Sequence, residues 1–291
     1  MKKTLVKMSE WLFVILFIAM TVIPIAWCFI MSISPENEML KNTVNLFPSA
    51  PTLDNYRSLL FENTSFQTAF LKGLENSLTA VLLTEILIIP IAVCGGYALS
   101  RFRFWGRRGF RIGLLITMVI PVFATIIPIY KMFTELGFLD NMFWLCVIYV
   151  SAFLPMIIWL VSNYLASFPK EIEEAAAIDG CSPVQILLKI VLPSSLPIIL
   201  AILLIVFLMT WGQFQIPLII ASSKATKPLS IVIQEFTAKD SVFYGLMAAG
   251  GIISILPPAI AAIFFRKYLV LGMSSGAVKE CDHSAVAPSA M

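Results

Sequence analysis

The chain has 291 residues, of which 59% are hydrophobic and 13% charged, whereas a soluble domain carries about 25% charged residues. That shortfall excludes an ordinary soluble enzyme, and a mean hydropathy of +0.92 excludes a disordered chain. Five cysteines are too few for a disulfide scaffold, and a net charge of +3 gives no reason to expect nucleic acid as a partner. The composition is that of an integral membrane protein, in which Lys and Arg inform by position more than by their sum.

A hydrocarbon core roughly 30 Å thick is crossed by about 20 apolar residues in helix. Six stretches qualify. Trp11–Pro35 holds 25 uncharged residues, Asn76–Ser100 another 25 interrupted only by Glu85, Ile112–Tyr130 19, Asn141–Pro169 29, Ile190–Ser223 34 and Ser241–Phe265 25. They predict an all-α polytopic protein, one transmembrane domain over 1–291, with six transmembrane helices at 11–33, 76–100, 112–131, 142–165, 194–222 and 243–265. Pro193 and Pro197 place the start of the fifth near Ser194 or Ser195. The first exceeds the 7–15 apolar residues of a cleavable signal and reads as a retained span.

Thirteen of the 20 Lys and Arg fall on one side of this scheme, five of them between Arg101 and Arg111, and seven are scattered over the other. The bias puts both termini in the cytoplasm. It also makes 166–193 and the tail 266–291 cytoplasmic and 34–72 an exported loop, rich in the turn residues Asn37, Asn42, Asn45, Pro48, Pro51, Asp54 and Asn55. The arginine loop is most simply a topology signal that also meets anionic lipid. Gly95 and Gly96 suit close helix packing.

The connection between the fourth and fifth spans reads as two short helices. Pro169 fits a first helical position, Glu171, Glu173 and Glu174 suit the positive end of the dipole, and Ala175–Ala177 have high helix propensity. Gly180 fits the left-handed position past a helix end, and Ser182-Pro183 starts a second helix expected to stop before Pro193. The first helix has the small side chains of one that lies in another protein's groove, with Ile172, Ala175, Ala176 and Ile178 as anchors. The same spacing fits an amphipathic interfacial connector.

Glu174-Ala175-Ala176, three residues, Gly180, nine residues, then Ile190-x-Leu192-Pro193 resembles the EAA loop of bacterial ABC importer permeases, EAA-x3-G-x9-I-x-L-P. The likeness runs over nearly the whole chain and is to the carbohydrate type, similar to the second permease of maltose-type systems. It is carried by Leu46-Phe47-Pro48, Pro51-Thr52-Leu53-Asp54-Asn55-Tyr56, Asn76-Ser77-Leu78 and Gly96-Tyr97-Ala98-Leu99-Ser100-Arg101-Phe102. Ile127-Pro128-Ile129-Tyr130, Gly137-Phe138-Leu139-Asp140-Asn141, and Gly272 with Gly276-Ala277-Val278-Lys279 complete it. Trp211-Gly212-Gln213-Phe214 departs from the Trp-Asn-Glu-Phe of many relatives by losing an acid.

The resemblance implies an ABC type I importer permease fold and a loop that docks on an ATP-hydrolysing subunit. Glu174 would pair at that surface, Ala175 and Ala176 allow close packing, Gly180 sets the turn, and Ile172, Ile178 and Asp179 complete the contact. The implied partners are a second, different permease, two ATP-binding subunits, an extracytoplasmic solute-binding protein, a sugar and membrane lipid. No Gly-x4-Gly-Lys-[Ser/Thr] occurs, so ATP and Mg are expected on the partner subunits and no cofactor on this chain. It is expected to be a transport subunit of the bacterial inner membrane and not an enzyme.

Sugar pathways combine aromatic faces with amides and hydroxyls in a largely apolar pocket. Candidates at membrane depth are Thr117, Thr125, Trp159, Asn163, Trp211, Gln213 and Gln215, each with a packing role as its rival. Glu85, an acid in mid-span, belongs either to a gate or to the interface with the second permease. A polyamine, phosphate or other ion as solute calls for more charge than Glu85 supplies. A proton-coupled carrier or membrane enzyme calls for His, Asp or metal ligands within the spans, where Glu85 stands by itself.

Overall fold

The computed structural model describes residues 2–39, 47–237 and 243–277. The turn residues Asn42 and Asn45, the cations Lys41 and Lys239, Leu46, and the tail from Val278 with Lys279 lie outside the described residues.

Helix α1 (Lys2–Ser32) contains the first apolar run, and its Trp11, Phe13, Phe17 and Met20 are exposed, as side chains facing lipid are. Two short helices follow, α2 (Glu36–Met39) and α3 (Asp54–Leu60), before α4 (Ser65–Arg101). α4 starts ahead of the apolar stretch expected at 76 because Lys72 and Glu75 end a hydropathy window without ending a helix.

The third apolar stretch is two helices, α5 (Arg107–Val119) and α6 (Val122–Leu136), bent by 92°. Pro121 forces the break: the residue before a proline is driven out of the helical region, and Ile120 is extended at ψ 119°. Asn141 then caps α7 (Met142–Ser167), its side chain accepting from the Phe143 and Trp144 N–H groups at 3.0 and 3.4 Å.

After α7 come α8 (Lys170–Ile178), α9 (Pro183–Ile186), a π turn at Leu187–Val191 and α10 (Leu192–Ser194). The second connector helix does not stop before Pro193. Its widened turn, in which the Leu192 N–H reaches the Leu187 carbonyl, makes room for the proline ring. α11 (Leu196–Trp211) leaves Pro183–Ser194 at 78°, and the chain ends with α12 (Gln215–Ile220), α13 (Leu229–Gln234) and α14 (Tyr244–Ala277). The fifth apolar stretch is therefore not one helix to 222. Continuing α11 would bring Pro217 into a helix interior; a break after Gly212 puts it in the first turn of α12 instead.

Contacts divide the chain into two compact units, at 74/75, 228/229 and 256/257; α4 and α14 contribute to both. In the first unit Leu59, Phe70, Ile231, Val232 and Leu246 are buried, and Phe66 meets Phe236 and Phe243 edge to face at 5.6 and 5.0 Å. Buried Asn55 donates to the Ser32 and Ser34 carbonyls at 2.9 and 3.1 Å. The Glu36 carboxylate accepts from the Tyr244 and Gly245 N–H groups at 2.9 and 3.1 Å, an acid on the positive end of α14.

The second unit is built on α4, α7 and α11, which bury Ile88, Ala92, Leu145, Tyr149, Phe153, Ile157, Val161, Ile198, Ile202 and Val206. α4 and α7 approach closely at Gly96, where a Cβ would lie 2.4 Å from Val161 Cγ1 and 3.1 Å from the Ser162 nitrogen. Gly96→Val should therefore lower the thermal unfolding midpoint of the purified protein, the overpacking costing about 1–3 kcal/mol, and Val161→Ala in the same chain should restore part of the loss.

Candidate functional site

The α7–α11 connection has an inner and an outer face. Gly180 is left-handed at φ +84° and turns the chain out of α8, and Ser182 caps α9 in a capping box with Gln185 (2.8 and 3.4 Å). Helix α8 starts at Lys170, one residue later than expected, with extended Pro169 as its cap. Glu173 and Ala176, three residues apart on one face, are buried, whereas Ile172, Glu174, Ala175, Ile178 and Asp179 are exposed, Ile178 at 87%. Ala176 is thus turned against its own chain and is not an outward anchor. Ile190 and Leu192 also pack on the core, while Pro193 is exposed.

An ion pair shielded from water fixes that inner face. Arg101, the last residue of α4, contacts Glu173 Oε1 through Nη2 at 2.5 Å and Nε at 2.7 Å, with the two side chains 8% and 10% exposed. Arg101 also donates to the Phe168 carbonyl at 3.0 Å, and the Tyr97 hydroxyl donates to Glu173 Oε2 at 3.0 Å. From the sequence Arg101 reads as a topology signal and Glu173 as one of three acids suited to the positive end of the α8 dipole; the structure pairs the two. The available signal was Tyr97 and Arg101 four residues apart on one helix face, with Glu173 and Ala176 three apart on another.

A cavity of about 310 Å3 opens where two helices break. Thr117, Ile120, Thr125 and Ile126 line it from α5 and α6, Ile148, Ser151 and Pro155 from α7, and Ile216 and Ile220 from α12. The hydroxyls of Thr117, Thr125 and Ser151 donate to carbonyls three residues back at 2.7, 2.9 and 2.8 Å, which leaves their lone pairs to accept. No lining residue is charged. Broken backbone at membrane depth is tolerated where it borders such a cavity.

The other pathway candidates are elsewhere. Gln213 Oε1 accepts from the Phe214 and Gln215 N–H groups at 3.0 and 3.1 Å and so caps the start of α12. Trp211 stacks on Phe207 at 5.6 Å, and Asn163 accepts from Arg111 at 3.3 Å. Trp159 and Gln215 are half-buried and outside the cavity lining. Glu85 borders a separate crevice of about 250 Å3 with Leu203, Leu204, Phe207, Ala261 and Phe265.

At the far end of α7, Asp140 gathers the segment that follows α12. Its carboxylate accepts from the Ser222 and Ser223 N–H groups at 3.1 and 2.9 Å and from the Thr226 hydroxyl, while Asn76 donates to the Lys224 and Lys227 carbonyls at 3.0 Å. Burial by itself would raise the Asp140 carboxyl; these donors outweigh it and hold it at about 2.

Helices broken around an uncharged cavity, with a loop presenting one free apolar face, define a membrane transport subunit. The model of the binding-protein-dependent transport system inner membrane component family matches residues 88–274, and the chain belongs to that family. It is 29% identical to the trehalose transport system permease protein of Mycobacterium tuberculosis, over 91% of this chain and 94% of that one. It is 31% identical to the maltodextrin transport system permease protein of Bacillus subtilis (80% and 82%) and 29% identical to the arabinooligosaccharides transport system permease protein of Halalkalibacterium halodurans (96% and 100%). Among solved structures, a bacterial ABC transporter involved in the import of the acidic polysaccharide alginate superposes with a TM-score of 0.77 at 23% identity, covering 92% of this chain and 97% of that one. The chain is an inner-membrane ABC importer permease of the sugar-transporter kind, and not an enzyme.

Two outcomes follow for the purified protein. Arg101→Met should cost about 3–5 kcal/mol by leaving Glu173 buried without its partner, and the double variant with Glu173→Met should be markedly more stable than that single one. Asp140 has a lowered folded pKa, so its contribution is present above the ordinary carboxylate value of about 3.9 and is lost as pH falls through about 2. Thermal melts should show Asp140→Asn less stable than the parent by a constant margin above pH 5, and the margin should shrink between pH 4 and 2.

Proposed function

We propose that this chain forms, with a second permease, the translocation path for a sugar or oligosaccharide delivered by an extracytoplasmic binding protein, and that α8 is the helix through which ATPase subunits drive it. In this reading α8 and its flanks face the cytoplasm, and ATP and Mg reside on the partner subunits. The observation that carries it is the division of α8: an inner face pinned by Glu173 and Ala176, and an outer face that exposes Glu174, Ala175 and Ile178, with Ile172 half exposed at its edge. An isoleucine 87% exposed beside small alanine side chains suits a helix that another protein covers.

Motion of a docked ATPase subunit would reach α8 first, pass through Glu173 to Arg101, and so enter α4. The names of the trehalose, maltodextrin and arabinooligosaccharide relatives support a sugar. The cavity agrees in kind, since free hydroxyl lone pairs in apolar walls suit a neutral, hydroxyl-rich solute better than an ion. Thr117, Thr125 and Ser151 would accept from it; Gln213, occupied as a cap, and Asn163, held by Arg111, would serve the path through structure instead.

Ile178→Asp and Ile172→Asp should each cut solute-stimulated ATP hydrolysis of the reconstituted complex at least tenfold, and Ile178→Asp, at a side chain 87% exposed, should leave the melting midpoint of the isolated chain within about 1 °C. Full stimulated activity in both variants would remove α8 from the coupling surface.

A further inference from the structure

No Asp or Glu occurs between Glu85 and Glu135, and five arginines crowd into Arg101–Arg111. Arg101 is paired with Glu173, Arg107 donates to the Leu99 and Ser100 carbonyls at 2.8 and 3.3 Å, and Arg111 makes its 3.3 Å contact with Asn163. Only the first of these contacts neutralises a charge. Among the described residues, Arg103 and Arg108 have no carboxylate beside them.

Arg107, Arg108, Arg111, Ile112 and Leu115 line an open cavity of about 580 Å3 on α5. Their spacing is one helical stripe, and it passes from guanidinium groups to aliphatic side chains at the point where the chain becomes apolar. In the adjoining loop Phe102 and Phe104 are about half exposed, and Trp105 is entirely exposed. Such aromatics are costly in water and favourable at the headgroup level of a bilayer.

We infer that this stripe is a binding site for an anionic phospholipid, with Arg107, Arg108 and Arg111 on the headgroup phosphate and Ile112 and Leu115 along the first part of an acyl chain. Guanidinium groups meet phosphate oxygens through paired N–H donors. A soluble anion has no use for the aliphatic half of the stripe. An acidic protein surface would require the loop to stand clear of the membrane, where Trp105, Phe102 and Phe104 would be left in water.

The test uses the full chain in detergent, with phosphatidylglycerol and phosphatidylcholine of matched acyl chains, and measures retained lipid by native mass spectrometry. Phosphatidylglycerol is expected to be retained about tenfold over phosphatidylcholine. Arg108→Gln, at a residue with no ion pair or hydrogen bond among the described residues, should lower that preference about fivefold, and Arg108→Gln with Arg111→Gln should abolish it. The paired Lys variants should keep most of it, and millimolar glycerol phosphate should not displace the lipid. Equal retention of the two lipids, an unchanged preference in Arg108→Gln, or displacement by glycerol phosphate alone would overturn the proposal. So would loss of ATPase-subunit binding in Arg108→Gln with lipid preference intact, which would make the stripe a protein surface.

Discussion

A charge pair shut away from water ties the α7–α11 connection of this protein to the end of α4. Moving a carboxylate and a guanidinium out of water is costly, and the cost is offset only where both are closely met. Glu173 is met by Arg101 twice and by Tyr97 once, so its position is narrowly defined. Because Arg101 ends α4 and Glu173 lies on α8, the pair joins the α7–α11 connection to a helix 37 residues long. The outward face of α8 follows from it. With Glu173 and Ala176 fixed inward, helical geometry leaves Glu174, Ala175 and Ile178 pointing away and puts Ile172 on the flank. In the proposed function that surface receives the motor subunit, and the same pair carries the push onward.

The second constraint is the membrane. Backbone N–H and C=O groups in hydrocarbon require partners, so a helix breaks at membrane depth only beside protein or a cavity. The break at Pro121 borders the hydroxyl-lined cavity, and the helix that follows the break at Gly212–Phe214 supplies Ile216 and Ile220 to its wall. Gln213 supplies the acceptor that α12 would otherwise lack at its start. Asp140 and Asn76 then brace the segment after α12, which fixes the wall formed by Ile216 and Ile220.

Much of the helical architecture and the α8–α9 corner is readable from the sequence, because apolar length, Gly180 and the Ser182-Pro183 start act locally. Two kinds of feature are not. Helix ends escape a hydropathy count: α4 runs past Lys72 and Glu75, and the bends at Pro121 and after Gly212 fall inside stretches that stay uncharged throughout, so only the proline and glycine mark them. Polar partners distant in sequence escape it as well. The spacing of Glu173 and Ala176 is a weak local mark, since Glu171 and Glu174 are acids in the same run; the approach of Tyr97 and Arg101, 76 and 72 residues earlier, is what distinguishes Glu173. Asn163 and Gln213 read as solute contacts from residue type, yet one meets Arg111 and the other caps a helix, as amides often do in membranes.

The central claim is that α8 has one face committed to its own chain and one reserved for a motor subunit. Site-directed cross-linking in the assembled complex tests it most directly, with a single cysteine at 178 or at 176 in a chain whose native cysteines are replaced. The account predicts an adduct between Ile178→Cys and the ATPase subunit whose yield changes with ATP, and none from Ala176→Cys. Equal yields from the two positions, or an adduct from Ala176→Cys alone, would contradict it.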